Sequence, residues 1–165
     1  MSMPASLLRE KTDYPNFPEF RKYGIDLSFV EAGLITTLQN IREDTGIPIT
    51  PSPVKGAWYR LDGSKTSRHY AVGRLSDAGD IFPQKDRVLD LWLMVQEVTQ
   101  LGGIGLYADT NGPDGKPWPM MHIDLRVGRL LWTSELIGKE RKYYYLPGES
   151  QLFWKVVEKV IRQIG

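Results

Sequence analysis

MMHIDLRVGRLLWT, residues 120–133, is the stretch that decides the fold. Residues 120–127 alternate apolar and polar side chains and predict a strand. Gly128–Arg129 reads as a tight turn, and residues 130–133 as the antiparallel return. Just upstream, residues 104–107 form a further strand that runs into turn chemistry at Asn111–Gly112–Pro113–Asp114–Gly115. Residues 47–50 read as a short strand cut off by Pro51 and Pro53, residues 56–61 as another, and residues 141–146, with three successive tyrosines, as a last one. Helical spacing appears three times. Leu27, Val30, Leu34, Leu38 and Ile41 follow a cap at Asp26 or Ser28 and stop near Gly46. Residues 87–100 and 149–164 carry the other two amphipathic patterns. Strands and helices intermix without strict alternation, which predicts an α+β fold, a small antiparallel sheet with helices packed on it. Residues 1–24, rich in proline and aromatics, read as an extended N-terminal arm, and residues 25–165 as a single domain.

Composition narrows the function classes. With 165 residues, 41% hydrophobic and 25% charged, the chain suits one packed domain. Lys and Arg total 21 against 20 Asp and Glu, so no general charge attracts nucleic acid or an anionic membrane. The absence of cysteine excludes a disulfide scaffold, a thiolate metal site and a cysteine nucleophile. No run approaches the roughly 18 apolar residues that span a bilayer, so membrane insertion is not expected. Arg9, Glu10 and Lys11 end the short apolar start too early for a signal peptide, so synthesis and retention in a cytoplasm are expected.

The only two histidines, His69 and His122, each sit in a short polar cluster flanked by strand-like sequence. Two imidazoles and one carboxylate are a usual set for catalytic zinc, leaving one position open. Asp77 and Asp80 follow His69 closely. In a strand, His122 and Asp124 point to one face, so Asp124 is placed to orient a ligand or to handle a proton.

Four segments, in order, resemble the zinc peptidases of the D-Ala-D-Ala carboxypeptidase and hedgehog type, especially their bacteriophage-associated members. They are Leu34–Leu38–Ile41–Arg42 with Gly46–Ile47–Pro48–Ile49–Thr50; Ser67-x-His69, Gly73–Arg74 and Ala78-x-Asp80–Ile81; Gly102–Gly103–Ile104–Gly105–Leu106–Tyr107; and His122-x-Asp124-x-Arg126 with Trp132. The resemblance implies a hedgehog-like fold and zinc held by His69, one aspartate and His122. Asp77 has the expected offset from Gly73–Arg74, while Asp80 has the expected Ala-x-Asp-Ile neighbours, and Asp80 is the favoured ligand. Asp77 then becomes a candidate for holding an imidazole N–H. Pro119 stands where many members carry a catalytic glutamate, which leaves Asp124 as the proposed proton carrier and Asp109 or Asp114 behind it. Lys55, Arg60 and Arg68 are equal candidates for the cation that holds a substrate carboxylate or stabilises a developing oxyanion. The implied activity is hydrolysis of peptidoglycan stem peptides at bonds involving D-amino acids, with delivery to the wall by a lysis system or phage particle. The alternative is an inactive relative serving as a virion or tail component or a wall-binding module.

Overall fold

The computed structural model describes residues 17–165. Six strands form one sheet: β1 (Ile49–Pro51), β2 (Ala78–Pro83), β3 (Gly103–Tyr107), β4 (Met120–Asp124), β5 (Leu130–Ile137) and β6 (Glu140–Tyr145). Their spatial order is β1-β2-β4-β3-β5-β6. Every pairing is antiparallel except β3 with β5, which is parallel. The fold is therefore α+β, but the sheet is mixed.

That one parallel pair corrects the expected hairpin across Gly128–Arg129. β4 already has β2 on one edge and β3 on the other. With both ladders of β4 filled, β5 passes it and joins the free edge of β3, running antiparallel to β4 without touching its backbone ladder. Pro51 lies in β1, at the sheet edge, where a missing N–H costs no ladder bond.

Among the described residues, four α-helices accompany the sheet: α1 (Glu19–Lys22), α2 (Ala32–Thr45), α3 (Val88–Met94) and α4 (Ser150–Ile164). The apolar spacing of α2 buries Leu34, Ile35, Leu38 and Ile41, and the helix ends at Gly46, whose φ of 65° only glycine adopts without strain. The helix expected over residues 87–100 is α-helical only at Val88–Met94 and tightens to 3-10 turns at either side. Val95, Val98 and Thr99 are β-branched and extend an α-helix poorly. Along α4, Phe153, Val156, Val157 and Val160 face inward. Thr133 Oγ1 donates to the carbonyl of Phe153 at 3.3 Å, which pins α4 to β5. Alternate strand positions, Ile81, Met121, Ile123, Ile104 and Leu106, supply the sheet side of this core. No helix among the described residues is long and apolar enough to cross a membrane.

Two other expectations change. Residues 56–61 do not form a strand: Lys55–Ala57 is a 3-10 turn, with Trp58 N–H donating to the carbonyl of Lys55 at 3.0 Å. Trp58 and Tyr59 are both buried, whereas a half-buried strand would send neighbours to opposite faces. Of the supposed extended arm, residues 1–16 lie outside the described residues, and the remainder includes the α1 turn, with Phe17 and Phe20 in the core.

Trp58 carries much of this packing. It is fully buried, meets Phe20 edge-on at 4.6 Å between centroids, and donates Nε1–H to the Ser52 carbonyl at 3.0 Å. Its ring fills the space that a Cβ on Gly79 would need, 2.4 Å from Cζ3. Trp58→Ala is expected to lower unfolding free energy by about 4 kcal/mol through cavity formation, read from chemical denaturation. A loss under about 1 kcal/mol would show that the surroundings collapse onto the gap.

Candidate metal centre

Register builds the site. Asp80 on β2 is the cross-strand partner of His122 on β4, His122 of Gly105 on β3, Gly105 of Trp132 on β5, and Trp132 of Tyr145 on β6. Five strands thus place one row of side chains on the face opposite α3 and α4. Gly105 is required within that row: a Cβ there would lie 2.5 Å from the Trp132 ring. Trp132 leans over the gap and packs against His122, 5.0 Å between ring centroids. The neighbouring row repeats the device, with Gly103 leaving room for the Asp124 carboxylate.

His69 reaches the same place from the loop before β2. Arg60 N–H donates to the His69 carbonyl at 2.6 Å and Ala71 N–H to the Arg60 carbonyl at 2.8 Å, a short parallel bridge that seats the loop. Three donor atoms then converge. His69 Nε2 is 3.2 Å from His122 Nδ1, His122 Nδ1 is 2.9 Å from Asp80 Oδ1, and His69 Nε2 is 3.6 Å from the same Oδ1. His69, Asp80 and His122 form a group that could hold a metal ion. The separations fit one: ligands bound at about 2 Å in a tetrahedron stand about 3.3 Å apart, and all three edges straddle that value.

Electrostatics prepare His69 and Asp80 as donors. Burial holds His69 down to about 4, so its ring is neutral and a ready ligand at neutral pH. Burial opposes charge on Asp80, but the hydrogen bond from His122 and the nearby His69 outweigh it and keep the carboxyl below its ordinary range. On His122, burial favours the neutral ring, yet hydrogen bonds to Asp124 and Asp80 prevail and raise it.

Asp124 stands behind His122. Its Oδ2 is 3.1 Å from His122 Nε2, while Gly103 N–H (3.0 Å), Arg126 N–H (3.1 Å) and the Arg126 side chain (Nε 2.8 Å, Nη2 2.5 Å) donate to the carboxylate. It is fully buried and does not line the cleft. Burial alone would raise its pKa, but the bonds from His122 and Arg126 win and hold it well below the usual carboxylate range. In the structure Asp124 contacts His122 rather than the cleft, and its bond to Nε2 leaves Nδ1 facing the other donors. Asp124→Asn, which keeps the shape, is expected to weaken zinc binding by about 10–100-fold, measured by competition with a chromophoric chelator.

The remaining candidates are dispersed. Asp77 lies outside the donor group, its Oδ2 paired with the Arg68 guanidinium. It holds no imidazole N–H: Asp77 Oδ1 and His69 Nδ1 are each buried without a hydrogen-bond partner among the described residues. Arg60 and Arg68 both line the cleft over the donor group, whereas Lys55 does not and instead sits over the Tyr59 ring at 5.1 Å. Asp109 is tied to Lys159 and Gln163, and Asp114 accepts from the N–H of Lys116. Neither lines the cleft.

That cleft has a volume of about 650 Å³. Several of its walls stand outside the site residues expected from the sequence: Tyr107, Arg126, Arg141, and the pair Tyr143 and Tyr145. The alternation of the tyrosines was a usable signal, since Tyr144 is buried on the other face while its two neighbours are exposed. Tyr107 accepts from Trp132 Nε1 at 3.2 Å, and burial pushes its phenol up, so it keeps a proton to donate. Among the described residues lining the cleft, Asp80 is the only carboxylate. Comparison with known proteins returns no matching family model, no matching curated protein and no matching solved structure.

Proposed function

We propose that this chain is a zinc-dependent peptidase of the D-Ala-D-Ala carboxypeptidase and hedgehog type, with that fold, acting on peptidoglycan stem peptides. The observation that carries the reading is the donor triangle of His69 Nε2, Asp80 Oδ1 and His122 Nδ1 opening onto a cleft. Two imidazoles and one carboxylate suit zinc with a position left for substrate or water. Asp124 behind His122 is the outer carboxylate that such centres use to fix an imidazole. The motif contexts of both histidines support the peptidase class, and a phage or lysis-system setting rests on the same resemblance.

Zinc held there supplies Lewis acidity toward a carbonyl and toward water. The chain's own residues do the rest. Trp132 and the buried flank of His122 keep bulk water from the back of the donor group. Tyr107, protonated and lining the cleft, donates a hydrogen bond to oxygen charge that develops on a reacting carbonyl. Arg60 and Arg68 supply positive charge at the loop side of the cleft, with Arg68 partly neutralised by Asp77.

A second reading is favoured by one observation: among the described residues no second carboxylate lines the cleft to serve as general base, and Pro119 cannot serve. On that reading the centre binds metal and wall peptide without turnover, as in a virion or wall-binding module. Purified protein loaded with zinc and incubated with purified peptidoglycan separates the two. New amino termini that vanish on chelation support the peptidase. Binding to the wall with no new termini supports the module, and neither binding nor cleavage contradicts both.

A further inference from the structure

The tyrosine-rich strand β6 gives one wall of the cleft a chemistry of its own. Its side chains alternate: Tyr144 is buried on the far face, while Tyr143 and Tyr145 rise on the cleft face, 43% and 42% exposed. Tyr145 stands opposite Trp132 on β5, the ring centroids 6.4 Å apart and the planes inclined at 38°. Tyr143 follows two residues back, about 7 Å along the strand, and meets Tyr107 edge-on at 6.1 Å. Trp132 and Tyr107 are tied together by the bond from Trp132 Nε1 to the Tyr107 hydroxyl. Two exposed rings therefore rest on two fixed ones.

Polar groups border these rings. Arg141, on the same face of β6 as both tyrosines, is fixed in place: it donates to the carbonyls of Ala108 and Asp109, each at 3.0 Å, and to Ser134 Oγ at 3.3 Å. Those bonds use three of the five N–H donors of a guanidinium, and the group lines the cleft. Ser64, Thr66 and Thr110 bring hydroxyls to the same cleft. A flat aromatic wall with hydrogen-bonding groups around it matches a pyranose ring, whose C–H bonds make an apolar face and whose hydroxyl and acetamido groups lie at the edge. A bare extended peptide would ask instead for a row of backbone partners, and the face of a sheet presents side chains.

Resting on the peptidase reading above for the identity of the sugar, we propose that Tyr143 and Tyr145 form a saccharide subsite, stacking successive N-acetylated hexosamine rings of the chain from which stem peptides hang. The rings and the donor group line one cleft of about 650 Å³, so a peptide at the donors stays joined to a sugar held on β6. The subsite holds its ligand by stacking and hydrogen bonds alone, and it makes and breaks no covalent bond.

The test titrates zinc-loaded full-length protein with a soluble β-1,4-linked tetramer of N-acetylglucosamine and follows binding by NMR. Saturable binding is expected, weakened about tenfold by Tyr143→Ala and by Tyr145→Ala, and within about twofold of native in Tyr143→Phe, which keeps the ring. Tm should not change in these variants, because both side chains are exposed. Lys142→Ala, on the opposite face of β6, should bind as the native chain does. No binding at millimolar sugar, or binding indifferent to both alanine variants, would overturn the inference. So would a sugar-free stem peptide whose binding falls equally in Tyr143→Ala, since the rings would then serve the peptide. Release of new amino termini from purified peptidoglycan keeps the two readings apart. Release without sugar binding removes the subsite alone, whereas sugar binding without release keeps the subsite and removes the peptidase.

Discussion

Replacing His122 by glutamine is expected to abolish stoichiometric zinc binding, with affinity falling by about three orders of magnitude or more, beyond the 10–100-fold typical of an outer partner. His122 is the hub of the site. Nδ1 stands 3.2 Å from His69 Nε2 and 2.9 Å from Asp80 Oδ1, while Nε2 meets Asp124 at 3.1 Å. Without it, His69 and Asp80 remain as a two-donor remnant. Three orders of magnitude correspond to about 4 kcal/mol. Glutamine holds much of the volume, and Asp124 keeps its bonds from Arg126 and Gly103, so the fold should survive. Thermal melts give the readout: zinc at a thousand times its Kd should stabilise the native chain by about 4 kcal/mol and the variant hardly at all. An equal zinc-dependent rise in Tm for both proteins would show that the ion binds elsewhere.

Gly103→Ala is expected to be more damaging than Gly105→Ala, costing about 3 kcal/mol or more of stability and weakening metal binding too. The added Cβ would stand 2.2 Å from Asp124 Oδ2 and 2.5 Å from Oδ1. Asp124 cannot yield, because Arg126 and the N–H of Gly103 itself clamp it. Relief requires either separating β3 from β4 or displacing the carboxylate that orients His122. Gly105→Ala should be milder: its Cβ meets the Trp132 ring at 2.5 Å, and that ring can tilt toward the cleft. Denaturant melts and zinc titrations of both variants check the order. Equal stability of Gly103→Ala and the native chain would contradict the clamp.

The three donors were legible because each lies in a short local context. The Ala78-x-Asp80–Ile81 pattern puts a small residue and a carboxylate on one face and an apolar residue on the other, and in β2 Asp80 does face the cleft while Ile81 is buried. The period of two placed His122 and Asp124 together, as they stand in β4. What local pattern cannot carry is the identity of cross-strand neighbours. The Gly103-x-Gly105 spacing has meaning only once β3 lies between Asp124 and His122 on one side and Trp132 on the other. Nothing near residue 130 reveals that β5 bypasses β4, since that outcome depends on β2 having taken the other edge first. The same gap explains Asp124. Its spacing from His122 was readable, but its burial under Arg126 and the backbone of β3 was not.

The central claim is that one ion is shared by three named atoms. Crystals grown with zinc and measured above and below its absorption edge test it directly. A single anomalous peak about 2 Å from each of His69 Nε2, Asp80 Oδ1 and His122 Nδ1 is the predicted result. A map without that peak, or with zinc held by Asp77 or by other ring nitrogens, would contradict the account.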